Sequence, residues 1–175
     1  MEAGSHNSEG KFVALVNENR LKILKVCNVY AWNREDQQDL YQEILFQIWR
    51  SLPKLRDTAF TNTWLYRIAL NTAITFARKQ RSGRDKAINS PHGEIEELLA
   101  AKAAPEPESN PQVVALYYAV SKLDPMEKAV VTLFLEDMSY EEIAAVTGLT
   151  GSNVGVTLHR TKKKLSALME ELRHE

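Results

Sequence analysis

The sequence predicts an all-α fold, arranged as two small helical domains joined by a flexible linker. Apolar residues recur at helical spacing through two long blocks, helix-start signals stand at the expected places within them, and a polar, proline-punctuated stretch separates the two. No run of alternating or β-branched residues long enough for a convincing strand interrupts either block. The expected segments are an unstructured stretch over 1–10, a first domain over 11–81, a linker over 82–110 and a second domain over 111–175.

In the first block, Phe12, Leu15, Val16, Ile23, Val26, Cys27 and Tyr30 follow one another at intervals that keep them on one face of a helix. Leu40, Ile44, Ile48 and Trp49 make a second stripe. The acids Glu35, Asp36 and Asp39 precede or open it, where the positive end of the helix dipole favours them, and Pro53 ends it. After a loop from Lys54 to Thr58, Trp64, Leu65, Ile68, Ala69, Thr72 and Phe76 form a third stripe. It runs into Arg78, Lys79 and Arg81, cations suited to a helix C-terminus. From Ser82 to Asn110 the chain is rich in Ala, Pro and Glu, with Pro91, Pro105, Pro107 and Pro111 as punctuation. That composition reads as a tether, within which Ile95 to Lys102 is a candidate short helix or docking segment.

The second block is capped repeatedly. Asp124, Pro125 and Glu127 fit the N-cap, first and third positions of a helix, and Ser139 with Glu142 repeats the capping-box spacing. Val130, Val131 and Phe134 pack the first of these helices. Ile143, Ala144 and Val146 pack the second, which Gly148 can end in a left-handed conformation. Leu149 and Thr150 then turn the chain into a long basic helix with Val154, Leu158, Leu165, Leu168 and Leu172 at helical spacing. A short capped helix, a glycine-bearing turn and a longer basic helix make the helix-turn-helix pattern.

Composition narrows the function. The 175 residues carry 22 Lys plus Arg against 23 Asp plus Glu, and 44% are hydrophobic, which is ordinary globular usage. The polar opening from Met1 to Gly10 lacks a secretory core, and no apolar run is long enough to span a bilayer, so a cytoplasmic protein without membrane insertion is expected. The single cysteine, Cys27, reads as a small buried apolar residue. His6, His92, His159 and His174 are dispersed, and no catalytic or phosphate-loop motif is present, so no metal, no cofactor and no enzymatic activity are expected.

The near-neutral total hides a segregation of charge. Residues 11–88 hold 14 Lys/Arg and 7 Asp/Glu, whereas residues 89–110 hold one Lys and five Glu. A basic front domain followed by an acidic tether concentrates polyanions on one face of the molecule.

Two faces suit nucleic acid. The early residues of the second helix of a helix-turn-helix meet base edges in the major groove, and here they are Ser152, Asn153, Gly155, Val156, Thr157, His159 and Arg160. Arg160 with Lys162, Lys163 and Lys164 can engage phosphates, although a solvated basic face on a helical bundle explains the lysines equally. The third helix of the first block presents Phe60, Asn62, Trp64, Tyr66, Arg67, Asn71, Arg78 and Lys79. Aromatics stack on unpaired bases, amides read base edges and cations hold phosphates. At that spacing Phe60 and Trp64 also suit a core, which composition alone favours. Asn71 stands out as an amide in an apolar stripe and needs either a backbone partner or a bound base.

These residues together resemble an extracytoplasmic-function, or group IV, sigma factor of bacterial RNA polymerase, and the resemblance runs from Lys11 to Leu172. Asp39 to Arg50 resembles the polymerase-binding helix of sigma region 2. Thr63 to Asn71 resembles the promoter-melting helix, and Met138 to Val146 with Val154 to Leu165 resembles the region 4 helix-turn-helix. The resemblance implies that Asp39, Gln42, Glu43, Ile48 and Trp49 face the clamp helices of core polymerase, with region 4 near its flap. Ile48 and Trp49 alternatively pack inside region 2.

It further implies that the loop Lys54 to Asn62 captures an extruded base of the −10 element, with Asn71 lining the pocket. Promoter DNA is then a partner both as duplex and as melted single strand, and an anti-sigma factor is a further expected partner. The family commonly carries Lys and Arg where this chain has Gly155 and Thr157, which implies weaker or shifted −35 recognition. Gly155 lowers helix propensity, and close approach to the DNA backbone is one reason for a glycine there. The competing reading is a stand-alone helix-turn-helix regulator that never joins polymerase, and the two differ in whether the Asp39 to Arg50 helix pairs with core enzyme.

Overall fold

The computed structural model describes residues 3–55, 58–81 and 110–174. Seven α-helices and no strand occur among them. The first three are α1 (Ala3–Tyr30), α2 (Arg34–Ser51) and α3 (Thr61–Arg81). Short 3₁₀ turns at Leu52–Lys54 and Thr58–Phe60 connect α2 to α3. The second group is α4 (Pro111–Ser121), α5 (Pro125–Leu135), α6 (Tyr140–Thr147) and α7 (Gly151–His174). The expected linker helix at Ile95 to Lys102 lies outside the described residues.

The caps explain most boundaries. Asn33 Oδ1 accepts from the Asp36 amide at 2.8 Å to start α2, with Glu35 and Asp36 in the first turn. Both capping boxes of the second block form. Asp124 Oδ1 accepts from the Glu127 amide at 2.8 Å while Glu127 Oε2 accepts from the Asp124 amide at 3.2 Å. Ser139 Oγ and Glu142 Oε2 make the same exchange at 3.2 and 2.8 Å. Gly148 ends α6 at φ +78°, a conformation that strains any residue with a Cβ.

Two boundaries differ from the sequence expectation. Helix α1 begins at Ala3, so residues 3–10 are helical and not an unstructured lead-in. No proline interrupts that stretch, and extending an existing helix avoids the nucleation penalty. Pro111 is the first residue of α4, not linker punctuation. Its missing amide costs nothing there, and Asn110 caps the helix by accepting from the Gln112 amide at 2.9 Å.

Helices α1 to α3 form a three-helix bundle around Phe12, Ile23, Val26, Leu40, Ile44, Leu45, Leu65 and Leu70. The second group packs around Leu123, Val130, Leu133, Ile143, Val154 and Leu158. The two cores are continuous, because α1 packs on α4 and α5 and α3 packs on α5 and α6. Tyr30 Oη donates to the Pro125 carbonyl at 2.7 Å, and Lys128 stands 5.5 Å from the centre of the Tyr30 ring. Trp32 meets Tyr118 edge to face at 5.6 Å across the same seam.

Candidate nucleic-acid and polymerase interfaces

Helix α7 turns one face inward and the other to solvent. Val154, Leu158 and Thr161 are buried against α5 and α6, which leaves Ser152, Asn153, Val156, His159, Arg160 and Lys163 exposed. Val156, at 66% exposure, is an apolar side chain held outward at the middle of this row. Gly155 and Thr157 are half-buried flanks of the exposed row. A Cβ on Gly155 would come within 3.3 Å of Tyr140 Cε2, so the close neighbour of this glycine in the folded chain is the Tyr140 ring.

The cations of α7 are not equivalent. Glu127 is fully buried at the start of α5, and its Oε1 accepts from Lys164 Nζ at 2.6 Å and pairs with Arg160 Nε at 3.3 Å. Lys162 Nζ lies 4.1 Å above the Phe134 ring. Those three tie the helix to its own domain, whereas Lys163 projects from the exposed face.

In the first domain, Phe60 is 64% exposed on the turn before α3, and Asn62, Arg67, Asn71, Arg78 and Lys79 are exposed along that helix. Trp64 is half-buried against the core, so the packing alternative describes much of its surface. Asn71 sits beside the buried Leu70 and Ala73 but points to solvent, and so needs no buried partner. Lys22 Nζ donates to Asn62 Oδ1 at 2.8 Å, linking α1 to the start of α3.

On α2, Asp39, Gln42 and Glu43 are half-buried and form one acid-and-amide face, with Gln47 Nε2 donating to Glu43 Oε1 at 2.8 Å. Ile48 does not belong to that face. It is 0% exposed and packs in the three-helix core, as its place in the apolar stripe dictates. Trp49 is half-buried edge to face on Phe12, with ring centres 5.1 Å apart.

The seam between the domains engages several of these groups. Arg67 donates to the Ala145 carbonyl near the end of α6, where carbonyls lack helical partners. Tyr66 is 1% exposed, and its Oη donates to Glu136 Oε2 at 2.8 Å, while Lys25 Nζ donates to Glu136 Oε1. Partial burial alone would raise the Glu136 carboxyl, but the bonds from Lys25 and Tyr66 and the charges of Lys25 and Lys22 outweigh it and hold the group below its ordinary value. Sequence reasoning missed Glu136, Lys22 and Lys25, since no local signal joins residues so far apart in the chain. Among the described residues no cluster of His, Cys, Asp or Glu is placed to hold a metal, and no helix is long and apolar enough to cross a membrane.

Family models match the two groups of helices in order: sigma-70 region 2 over residues 15–83 and sigma-70 region 4 over residues 114–165. The chain is 28% identical over 152 residues to the RNA polymerase sigma factor SigV of Bacillus subtilis, covering 86% of each protein. It is 26% identical over 160 residues to the ECF RNA polymerase sigma factor SigE of Mycolicibacterium smegmatis, covering 86% of this chain and 58% of that longer protein. The fold superposes on the sigma factor RpoE of Bartonella quintana, solved in complex with the anti-sigma factor NepR. The TM-score is 0.62 at 16% identity, covering 88% of this chain and 95% of that one. With both modules present in family order on one helical chain, the protein belongs to the sigma-70 family and is a sigma factor of the extracytoplasmic-function kind, a transcription initiation factor and not an enzyme.

Proposed function

We propose that this sigma factor directs promoter-specific initiation by joining core RNA polymerase through the Asp39, Gln42 and Glu43 face of α2. Helix α7 reads the −35 duplex, and the turn before α3, with the exposed face of that helix, holds the unpaired −10 strand. The observation that carries the reading is the outward row of α7. Six polar or methyl-bearing side chains stand exposed on a helix whose opposite face is buried against a capped partner helix. For the −10 strand, the exposed Phe60 offers a stacking surface just before Asn62 at the start of α3, and stacking of about 1–3 kcal/mol per base offsets the cost of extruding one. An anti-sigma partner belongs to the same proposal, supported by the fold shared with RpoE in its complex with NepR.

In vitro transcription with purified core polymerase on a randomised promoter library tests the whole reading. Initiation at a subset of sequences sharing two spaced elements is the expected result, and the absence of both polymerase association and sequence-directed initiation overturns it. Within that assay, Asn71→Ala is expected to impair open-complex formation while leaving polymerase binding intact. Glu43→Ala is expected to weaken polymerase binding without unfolding the domain, because Glu43 lies outside the core.

A further inference from the structure

Glu136 follows the last residue of α5 and its carboxylate reaches across the seam to two residues of the first domain. Lys25 and Tyr66 both donate to it, its side chain is 15% exposed, and Lys22 stands one turn before Lys25 on α1. Lys22 in turn bonds Asn62, the second residue of α3 and two positions after the exposed Phe60. We propose that Lys22, Lys25 and the Tyr66 hydroxyl form a phosphate site for the unpaired DNA strand, which the Glu136 carboxylate occupies while the two domains are packed together.

Three observations carry this. Lys25 and Tyr66 each donate to one oxygen of the Glu136 carboxylate and Lys22 adds a second positive charge nearby, a donor set that suits the two non-bridging oxygens of a phosphodiester equally. The site is linked through Lys22 to Asn62, two residues after the exposed Phe60, in the segment that would hold the extruded base. Tyr66 and Arg67 are adjacent on α3 and both are spent on the second domain, the first on Glu136 and the second on the Ala145 carbonyl. The Tyr66 hydroxyl is held by Glu136 of the second domain, so a strand takes this donor only after the second domain has moved off. Carboxylate and strand therefore compete for the same donors.

The inference rests on the proposal that the first domain holds the unpaired strand. It is tested with the full-length protein and a fluorescein-labelled oligo(dT) of about 12 nucleotides, within the usual site size for single strands. Glu136→Gln is expected to tighten anisotropy-measured binding about three- to tenfold, because fewer molecules hold the site closed. In that background, adding Lys22→Ala and Lys25→Ala is expected to weaken binding again and to flatten the dependence of log affinity on log salt by about 1.4, the contribution of two single-strand phosphate contacts. Glu136→Ala, which adds no hydrogen-bond donor, is read in the same way should the glutamine variant fail to fold by circular dichroism.

Affinity within twofold of wild type for a folded Glu136 variant overturns the proposal and leaves Glu136 as a domain latch only. An unchanged salt slope in the triple variant overturns it as well. If wild type still directs initiation with core polymerase in that case, the phosphate site alone has failed. If no variant binds oligo(dT) and no initiation occurs, the −10 reading falls with it.

Discussion

Glycine inside a helix costs about 1 kcal/mol relative to alanine, and Gly155 is tolerated in α7 beside the Tyr140 ring. That ring is partly exposed, so it can swing aside by the few tenths of an ångström that a new methyl requires. Gly155→Ala is therefore expected to raise the thermal midpoint, by about 2–4 °C for a gain near 1 kcal/mol in a molecule of this size whose two domains share one core, as differential scanning fluorimetry would record. Trp49 behaves oppositely. Its edge-on contact with Phe12 makes Trp49→Ala a packing deletion costing about 3 kcal/mol, so a loss of polymerase binding in that variant reports folding as much as contact.

Burial pushes the Cys27 thiol far above its ordinary range, so iodoacetamide at mildly alkaline pH is expected to leave it unmodified until denaturant is added. Mass spectrometry of the native and denatured protein checks this. The buried thiol and the exposed row of α7 were legible from helical spacing. The orientation of Asn71 was not, because a one-residue step around a helix separates core from solvent and the stripe alone does not resolve it.

Helix starts were the most legible elements, since a capping box is a local exchange between residues three apart. Both predicted boxes form. The start of α4 was hidden because Asn110 and Pro111 end a proline-rich stretch, and the same Asn-Pro pair reads as turn or as cap until the helix behind it is seen. Glu127 shows a further limit. Its role as third residue of a box was readable, but its carboxylate also gathers Arg160 and Lys164 from a helix 37 residues away in the case of Lys164. Glu127→Gln is expected to lower stability by about 1–2 kcal/mol, less than a fully buried pair would, because both cations are about half exposed. Urea denaturation followed by circular dichroism measures it. A loss that persists in high salt would mark the capping bond, and one that salt removes would mark the ion pairs.

Across the molecule, the feature without a sequence signal is how the two domains stand to each other. The two helical domains stand in the expected order, and what the sequence left unstated is their contact: they share a continuous core and a polar seam built on Glu136, Arg67 and Tyr30. Nothing periodic encodes such a seam, because Tyr66 and Glu136 meet across 70 residues of chain.

Its pH dependence follows from the Glu136 carboxyl. The folded-state value is depressed, so the associated stability is fully present above the ordinary carboxylate range and is lost as pH falls through the lowered value. The stability advantage of wild type over Glu136→Gln is therefore expected to shrink steadily from about pH 6 to about pH 3, measured by urea denaturation at each pH. An advantage that stayed constant over that range would mean the carboxylate does not titrate in the seam.

Trp32 and Tyr118 stand in contact across the boundary between the modules, the indole partly open to water. At that separation ultraviolet light absorbed by the phenol passes to the indole, and parting the modules breaks the transfer. The molecule thus carries its own optical ruler: with Trp49 and Trp64 replaced by Phe, a fall in tyrosine-sensitised Trp32 emission on adding an unlabelled single strand would report the two halves coming apart, with no dye attached.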